Sequence, residues 1–213
     1  MKVSPSLISA KLEFMADEIE KCHAGGASSF HLDVMDGAFV PNLTMGPDLV
    51  RAIRRCTSLN LECHLMLERP DKYYRSFFDA GGNIMLIHVE SPISTGHLLK
   101  EMKDQGIPYG VVINPETRFD MAKPFLEDAV ILLIMSVHPG FSGQKFIPDS
   151  ILKVKEARKY IDEEGLSVEI EVDGGINLEN AAACRNAGAD IVVSASYIFS
   201  ENVSERVSGL RDL

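Results

Sequence analysis

Three short segments place ligand-type side chains at alternate positions. Phe30-His31-Leu32-Asp33-Val34-Met35-Asp36-Gly37 carries His31 and Asp33, and Glu62-Cys63-His64-Leu65-Met66 carries His64. Val168-Glu169-Ile170-Glu171-Val172-Asp173-Gly174-Gly175 ends a run of alternating acids at Asp173. Successive side chains of a strand point to opposite faces. His31, Asp33 and Met35 therefore share a face, as do Glu62, His64 and Met66, and Glu169, Glu171 and Asp173. The residues between them, such as Leu32, Val34, Cys63 and Leu65, suit packing beneath helices. Imidazole nitrogens and carboxylate oxygens together suit Zn²⁺, Fe²⁺, Mn²⁺ or Co²⁺. A lone histidine on a strand is more often a hydrogen-bonded core residue than a ligand. A buried cluster of two His and two Asp, however, needs partners, and a cation supplies them. His88, in Ile87-His88-Val89-Glu90, reads equally well as a core or a site-facing residue. His23 and His97 fall on helical stretches and read as surface residues. Glu62 and Glu171, one pleat deeper, either orient the ligands or form a buried ion pair.

Strands must hold these residues, and the chain offers eight apolar runs: Val3–Ile8, Ser29–Val34, Leu61–Met66, Asn83–Val89, Tyr109–Ile113, Ala129–Val137, Val168–Val172 and Ile191–Ser194. Helical patterns lie between and after them, at about Leu12–Ala24, Pro47–Cys56, Pro70–Ala80, Gly96–Gln105, Phe119–Leu126, Pro148–Glu164, Leu178–Ala187 and Asn202–Leu210. Several end near a glycine, and Pro47, Pro70 and Pro148 suit a first helical turn. Strands alternating with helices imply a parallel sheet. Eight such units favour a closed α/β barrel, a single (β/α)8 TIM-barrel domain over residues 1–213, rather than an open doubly wound sheet. In that fold active sites lie at the C-terminal ends of the strands, where His31, Asp33, His64 and Asp173 fall.

Glycine-containing loops follow the later strands. Ser136-Val137-His138-Pro139-Gly140-Phe141-Ser142-Gly143-Gln144-Lys145-Phe146 is longer than a simple connection requires and reads as a lid or one wall of an anion site. Asp173-Gly174-Gly175 and Ser194-Ala195-Ser196 come after the seventh and eighth strands, the usual place for a phosphate grip built from backbone N–H groups. The net charge of −10 argues against a nucleic-acid partner but not against a small phosphorylated substrate. Cys22, Cys56, Cys63 and Cys184 have no C-x-x-C spacing and read as reduced, mostly buried thiols. The N-terminus lacks a signal-peptide core and no run is long enough to span a membrane, so a cytoplasmic location is expected. Phosphate-binding barrels that act as aldolases or decarboxylases need a lysine near the reacting carbon. Here Lys145 is in the loop and Lys2 at the wrong end of its strand.

Together these segments resemble the ribulose-phosphate 3-epimerase family over nearly the whole chain. The motifs are VSPSLISA, HLDVMDGAFVPNLTMGP, CHLMLERP, HVE, INPET, IMSVHPGFSGQKFIP, EVDGGI and SASYIF. The resemblance implies an isomerase of the pentose phosphate pathway that inverts C3 of D-ribulose 5-phosphate to give D-xylulose 5-phosphate. A related epimerase of D-allulose 6-phosphate shares most of the motifs and is the alternative; a non-catalytic phosphate-binding barrel is a more distant one. The resemblance further implies one divalent metal ion per chain, Zn²⁺ first among Zn²⁺, Fe²⁺, Mn²⁺ and Co²⁺, held by His31, Asp33, His64 and Asp173. Asp33 and Asp173 would be the paired acid and base, working through a metal-stabilised cis-enediolate. Substrate contacts would fall on Ser6, His64, Gly140, Phe141, Ser142, Gly143, Asp173, Gly174, Gly175, Ala195 and Ser196, and Met35, Met66 and Met135 would line the site. A homo-oligomer is expected, with a sugar phosphate as the small-molecule partner. The family pattern has Gly-Ser where this chain has Ala195-Ser196, which adds a Cβ beside the expected phosphate.

Overall fold

The computed structural model describes residues 1–213. The strands are β1 (Lys2–Pro5), β2 (Ser29–Met35), β3 (Asn60–Met66), β4 (Ile84–His88), β5 (Tyr109–Ile113), β6 (Ile131–Met135), β7 (Glu169–Asp173) and β8 (Ile191–Ser194). Every pairing is parallel, and the hydrogen-bonded order runs β1-β8-β7-β6-β5-β4-β3-β2. The ring closes between β1 and β2 through a parallel bridge from Ser6 to His31, and the Ser28 amide donates to the Val3 carbonyl at 2.8 Å. This is the expected (β/α)8 barrel.

Around it lie α1 (Met15–Gly25), α2 (Pro47–Arg54), α3 (Tyr74–Asp79), α4 (Thr95–Asp104), α5 (Ser150–Glu164), α6 (Leu178–Ala187), α7 (Ser196–Phe199) and α8 (Val203–Arg211). Local sequence explains most of their ends. Pro47 opens α2, where its missing N–H costs nothing. Gly26, Gly165 and Gly188 end α1, α5 and α6 in the left-handed conformation that glycine adopts freely. The Asn177 side chain caps α6 by accepting from the Asn180 amide at 2.9 Å.

Three expectations need correction. The helix expected over Phe119–Leu126 is two 3₁₀ turns, Phe119–Met121 and Lys123–Phe125. Pro124 has no N–H to offer the Asp120 carbonyl, and its ring clashes with a continuing α-helix. Leu12–Phe14 and Pro70–Lys72 are likewise 3₁₀ turns preceding α1 and α3. The short helix α7, directly after β8, was not among the helical patterns of the sequence.

The core has two layers. Outward-facing strand residues such as Leu32, Leu65, Val111, Ile134, Ile170 and Val192 are buried against Ile19, Val50, Ile53, Met102, Val154 and Val207 of the helices. Each such side chain stabilises the fold by roughly 1.5–3 kcal/mol. Inside the barrel, Leu86, Val112, Leu133, Met135 and Ile191 fill one side. The other side is polar, with Ser4, Ser6, His31, Asp33, Glu62, His64 and Glu171 all buried. Apolar packing outside the barrel and on one side of its interior thus holds a set of polar groups that would be costly alone. Cys22, Cys63 and Cys184 are buried and Cys56 exposed, all as free thiols. No helix is long and apolar enough to cross a membrane.

Candidate active site

Register brings the ligand-type residues to the same end of the barrel. Asp33 of β2 pairs with His64 of β3, and His31 lies one pleat below, beside Glu62. Asp173 ends β7 across the barrel. His31 Nε2 lies 3.1 Å from His64 Nδ1, 3.7 Å from Asp33 Oδ1 and 3.9 Å from Asp173 Oδ2. His64 Nδ1 is 3.5 Å from Asp33 Oδ1. One ligand atom from each of His31, Asp33, His64 and Asp173 falls within 4.8 Å of every other. Nitrogen and oxygen ligands at ~2.0–2.2 Å from an ion lie roughly 3–4.4 Å from one another, so this donor set fits one divalent cation. Ser6 supports it by donating from Oγ to Asp33 Oδ2.

The site's electrostatics ask for positive charge. Burial opposes a proton on His31, yet Asp33, Glu171, Glu62 and Asp173 outweigh it and hold the imidazole well above its ordinary range. Burial dominates at His64 and, with His88 and His31 nearby, holds it down at about 3, in the neutral form that can ligate a metal. The two aspartates diverge. Burial alone would raise Asp33, but His31, His64 and the Ser6 hydroxyl bring it down to about 2. Asp173 has fewer such partners, and burial together with the charge of Asp33 raises it to about 7. Below them, burial and then Glu62 raise Glu171 to about 8.

Glu62 and Glu171 both lie against His31, the basic partner of the buried ion pair that was one expectation. Glu62 Oε2 accepts from Ser4 Oγ at 2.6 Å and lies 3.8 Å from His31 Nδ1, while Glu171 Oε1 lies 3.7 Å from the same nitrogen. His88 is fully buried and faces the site, with its Nε2 2.8 Å from His64 Nε2. His23 is half-buried rather than a surface residue, bonded to Thr57 Oγ1 at 2.8 Å and edge-on to Phe30. Lys2 pairs with Glu169 at 2.5 Å at the N-terminal end of the barrel, far from the site.

Above the cluster opens a cleft of about 520 Å³. Its lining includes Ser6, Asp33, Met35, Met66, Met135, Gly140, Phe141, Ser142, Gly143, Asp173, Gly174, Gly175, Ala195 and Ser196. Every candidate contact residue therefore meets there except His31 and His64, which lie buried beneath its floor. The cleft also takes in Val137, His138, Pro139 and Gln144 of the loop read as a lid, and Ile8, Ile176 and Val193, which were not singled out. Gln144 directly follows Gly143 in the loop, and no spacing marks it as special. It braces the loop by donating from Nε2 to the His138 carbonyl at 2.6 Å and the Phe141 carbonyl at 2.9 Å. Asn42 Nδ2 ties the same loop to the one after β2 through the Gly140 carbonyl at 2.8 Å.

Glycine is required at two places. Gly174 has φ +123, and a Cβ there would lie 2.5 Å from the Val137 side chain; Gly175 has φ +63, and its Cβ would lie 2.5 Å from the Phe146 amide nitrogen. The loops after β6 and β7 thus meet backbone to backbone. Ala195, by contrast, has a negative φ of −110, so its position does not call for the left-handed freedom of glycine.

The sequence profile described as "Ribulose-phosphate 3 epimerase family" matches residues 2–199. The ribulose-phosphate 3-epimerase of Bacillus subtilis (strain 168) is 41% identical over 203 residues, covering 95% of this chain and 94% of that protein. The enzyme of the same name from Chlamydia trachomatis is 43% identical, covering 96% and 90%. The chloroplastic ribulose-5-phosphate-3-epimerase of Arabidopsis thaliana is 38% identical, covering 98% of this chain and 75% of that one. Among solved structures, a 3-hexulose-6-phosphate synthase superposes with a TM-score of 0.73 at 14% identity over 100% of this chain and 99% of that one, a likeness of fold. The chain is an isomerase and belongs to the ribulose-phosphate 3-epimerase family.

Proposed function

We propose that this chain inverts C3 of D-ribulose 5-phosphate to give D-xylulose 5-phosphate, with Asp33 and Asp173 as the two proton-transfer groups. The observation that carries the reading is their pairing. They come from β2 and β7, both border the cleft, and in the metal-free chain their proton affinities are driven apart, to about 2 and about 7. Inversion next to a ketone needs a base on one face of the carbon and an acid on the other. One of the two carboxyls takes the C3 proton in its ionised form, and the other, protonated, delivers a proton to the opposite face of the planar enediolate. The reverse reaction exchanges their roles.

His31, Asp33, His64 and Asp173 would hold one divalent cation, Zn²⁺ first among the candidates. When bound, it supplies Lewis-acid stabilisation of the negative charge that develops on the substrate oxygens. Gly174, Gly175, Ala195 and Ser196, with the loop Gly140–Gly143, line the cleft, and their backbone amides would take the phosphate. Holding that remote group fixes C3 between the two carboxyls. Met35, Met66 and Met135 supply apolar, adaptable walls that exclude water from the reacting carbon. The names of the relatives favour the pentulose over a hexulose 6-phosphate.

The test is turnover of Zn²⁺-loaded Asp33→Asn and Asp173→Asn variants on D-ribulose 5-phosphate. Each is expected to lose on the order of 10²–10⁴-fold in kcat. Near-normal turnover in either variant, with the metal content unchanged, would remove that residue from the proposed role.

A further inference from the structure

A line of hydrogen bonds leaves the His/Asp cluster toward the rim of the barrel. His64 Nε2 lies 2.8 Å from His88 Nε2, and the two rings are inclined by only 21°. His88 Nδ1 lies 3.0 Å from Glu90 Oε2, and Glu90 Oε1 accepts from the Asn114 amide at 2.8 Å. Both histidines are fully buried, and Phe39 packs over His88 at 4.8 Å between ring centroids. Phe39 is itself held, because Asp36 Oδ1 accepts from its amide at 2.9 Å.

The direction of this line follows from its outer end. An ionised carboxylate only accepts. Glu90 already accepts the Asn114 amide, so His88 Nδ1 must carry the hydrogen of the second bond. A neutral imidazole then has its lone pair on Nε2. His64 Nε2, facing that lone pair, must supply the next hydrogen, which leaves the lone pair of His64 on Nδ1. That atom points into the cluster, 3.1 Å from His31 Nε2 and 3.5 Å from Asp33 Oδ1. The opposite tautomer would set two lone pairs against each other between His64 and His88 and aim an N–H at the site.

We infer that His88 and Glu90 are positioning residues that lock His64 in the tautomer presenting Nδ1 to a divalent cation. The inference rests on the proposal that His64 is a metal ligand. It extends that proposal to two residues that bind neither metal nor substrate, and it gives the His-x-Glu pattern at the end of β4 a task in cation binding.

Co²⁺ affinity of the full chain, measured by competition with a chromophoric chelator, tests it. His88→Leu keeps bulk but offers no acceptor, and its Kd for Co²⁺ is expected to rise ~10–100-fold. His88→Gln restores a carbonyl acceptor toward His64 and is expected to recover part of that loss. Unchanged affinity in H88L overturns the inference. His64→Ala separates the two levels: if it too leaves Co²⁺ binding unchanged, the assignment of His64 as a ligand has failed and the inference falls with it. A second readout needs no variant. In the Zn²⁺-loaded wild-type chain, long-range ¹H–¹⁵N correlation of the histidine rings is expected to find His88 protonated at Nδ1 alone. A proton on His88 Nε2 overturns the inference whether or not the variants fold.

Discussion

Two carboxyl groups facing one carbon can do opposite work only when one holds a proton that the other lacks. Asp33, near two imidazoles and a hydroxyl, is held at about 2, while Asp173 is raised to about 7. The same buried charges govern how the chain responds to pH. Asp173, Glu171 (about 8) and His31 (well above its usual range) all bind protons more tightly in the fold than in the unfolded chain. Their contribution to stability is complete below their unfolded values, ~4 for the acids and ~6.5 for histidine, and is lost as pH rises through the folded ones. Asp33 has the opposite sign: its contribution is present above ~4 and lost only as pH falls toward 2. The chelator-treated chain is therefore expected to melt at a lower temperature at pH 8.5 than at pH 6.5. Added Zn²⁺ should raise the melting temperature more at the higher pH, because the ligands must shed protons to bind it. Equal Zn²⁺ shifts at both values would contradict the picture of a protonated cluster. At this scale the sequence was most informative: alternation at Phe30–Met35, Glu62–Met66 and Glu169–Asp173 put the right side chains on one face. It could not decide His88, whose role depends on where β3 and β4 set two rings.

Loops, rather than strands, shape the cleft, and their contacts are largely backbone. Ser136 Oγ lies 2.7 Å from the Gly174 carbonyl and 2.9 Å from that of Asp173, so its one hydrogen is directed at the turn after β7. Gly175→Ala would drive a Cβ into the backbone of Phe146 at a positive φ. That costs ~1–3 kcal/mol, or roughly 3–10 °C in Tm for a chain of this length. The variant's KM is expected to rise as well, since the two loops line the cleft together. A variant with wild-type Tm and KM would show that the contact between the two loops is dispensable. Element order was legible from apolar runs and glycine stops. The misses have local causes: Pro124 breaks a helical pattern into two 3₁₀ turns, and α7 is too short to display a period. Gln144 was missed because its partners are carbonyls of its own loop, which no spacing rule reveals.

The whole molecule carries a net charge of −10, and the proposed substrate is itself an anion. Long-range repulsion between them is screened as ionic strength rises. For the Zn²⁺-loaded enzyme, kcat/KM is expected to increase between ~10 mM and ~150 mM salt, where the Debye length shortens from ~30 Å to ~8 Å. A fall would mean that the local positive field of the occupied site outweighs the overall charge. Closure of the barrel through Ser6 and His31 brings β1, β2, β3 and β7 around one polar interior, and this convergence of distant segments is what the linear chain hides. The most direct test of the central claim, inversion at C3 by two separate carboxyl groups, is to run the reaction in D₂O and follow early product and remaining substrate by NMR. The account predicts D-xylulose 5-phosphate carrying deuterium at C3 while unreacted D-ribulose 5-phosphate stays unlabelled in the first turnovers. Product that retains the original C3 hydrogen would mean that a single group removes and returns the proton, and would contradict the paired roles of Asp33 and Asp173.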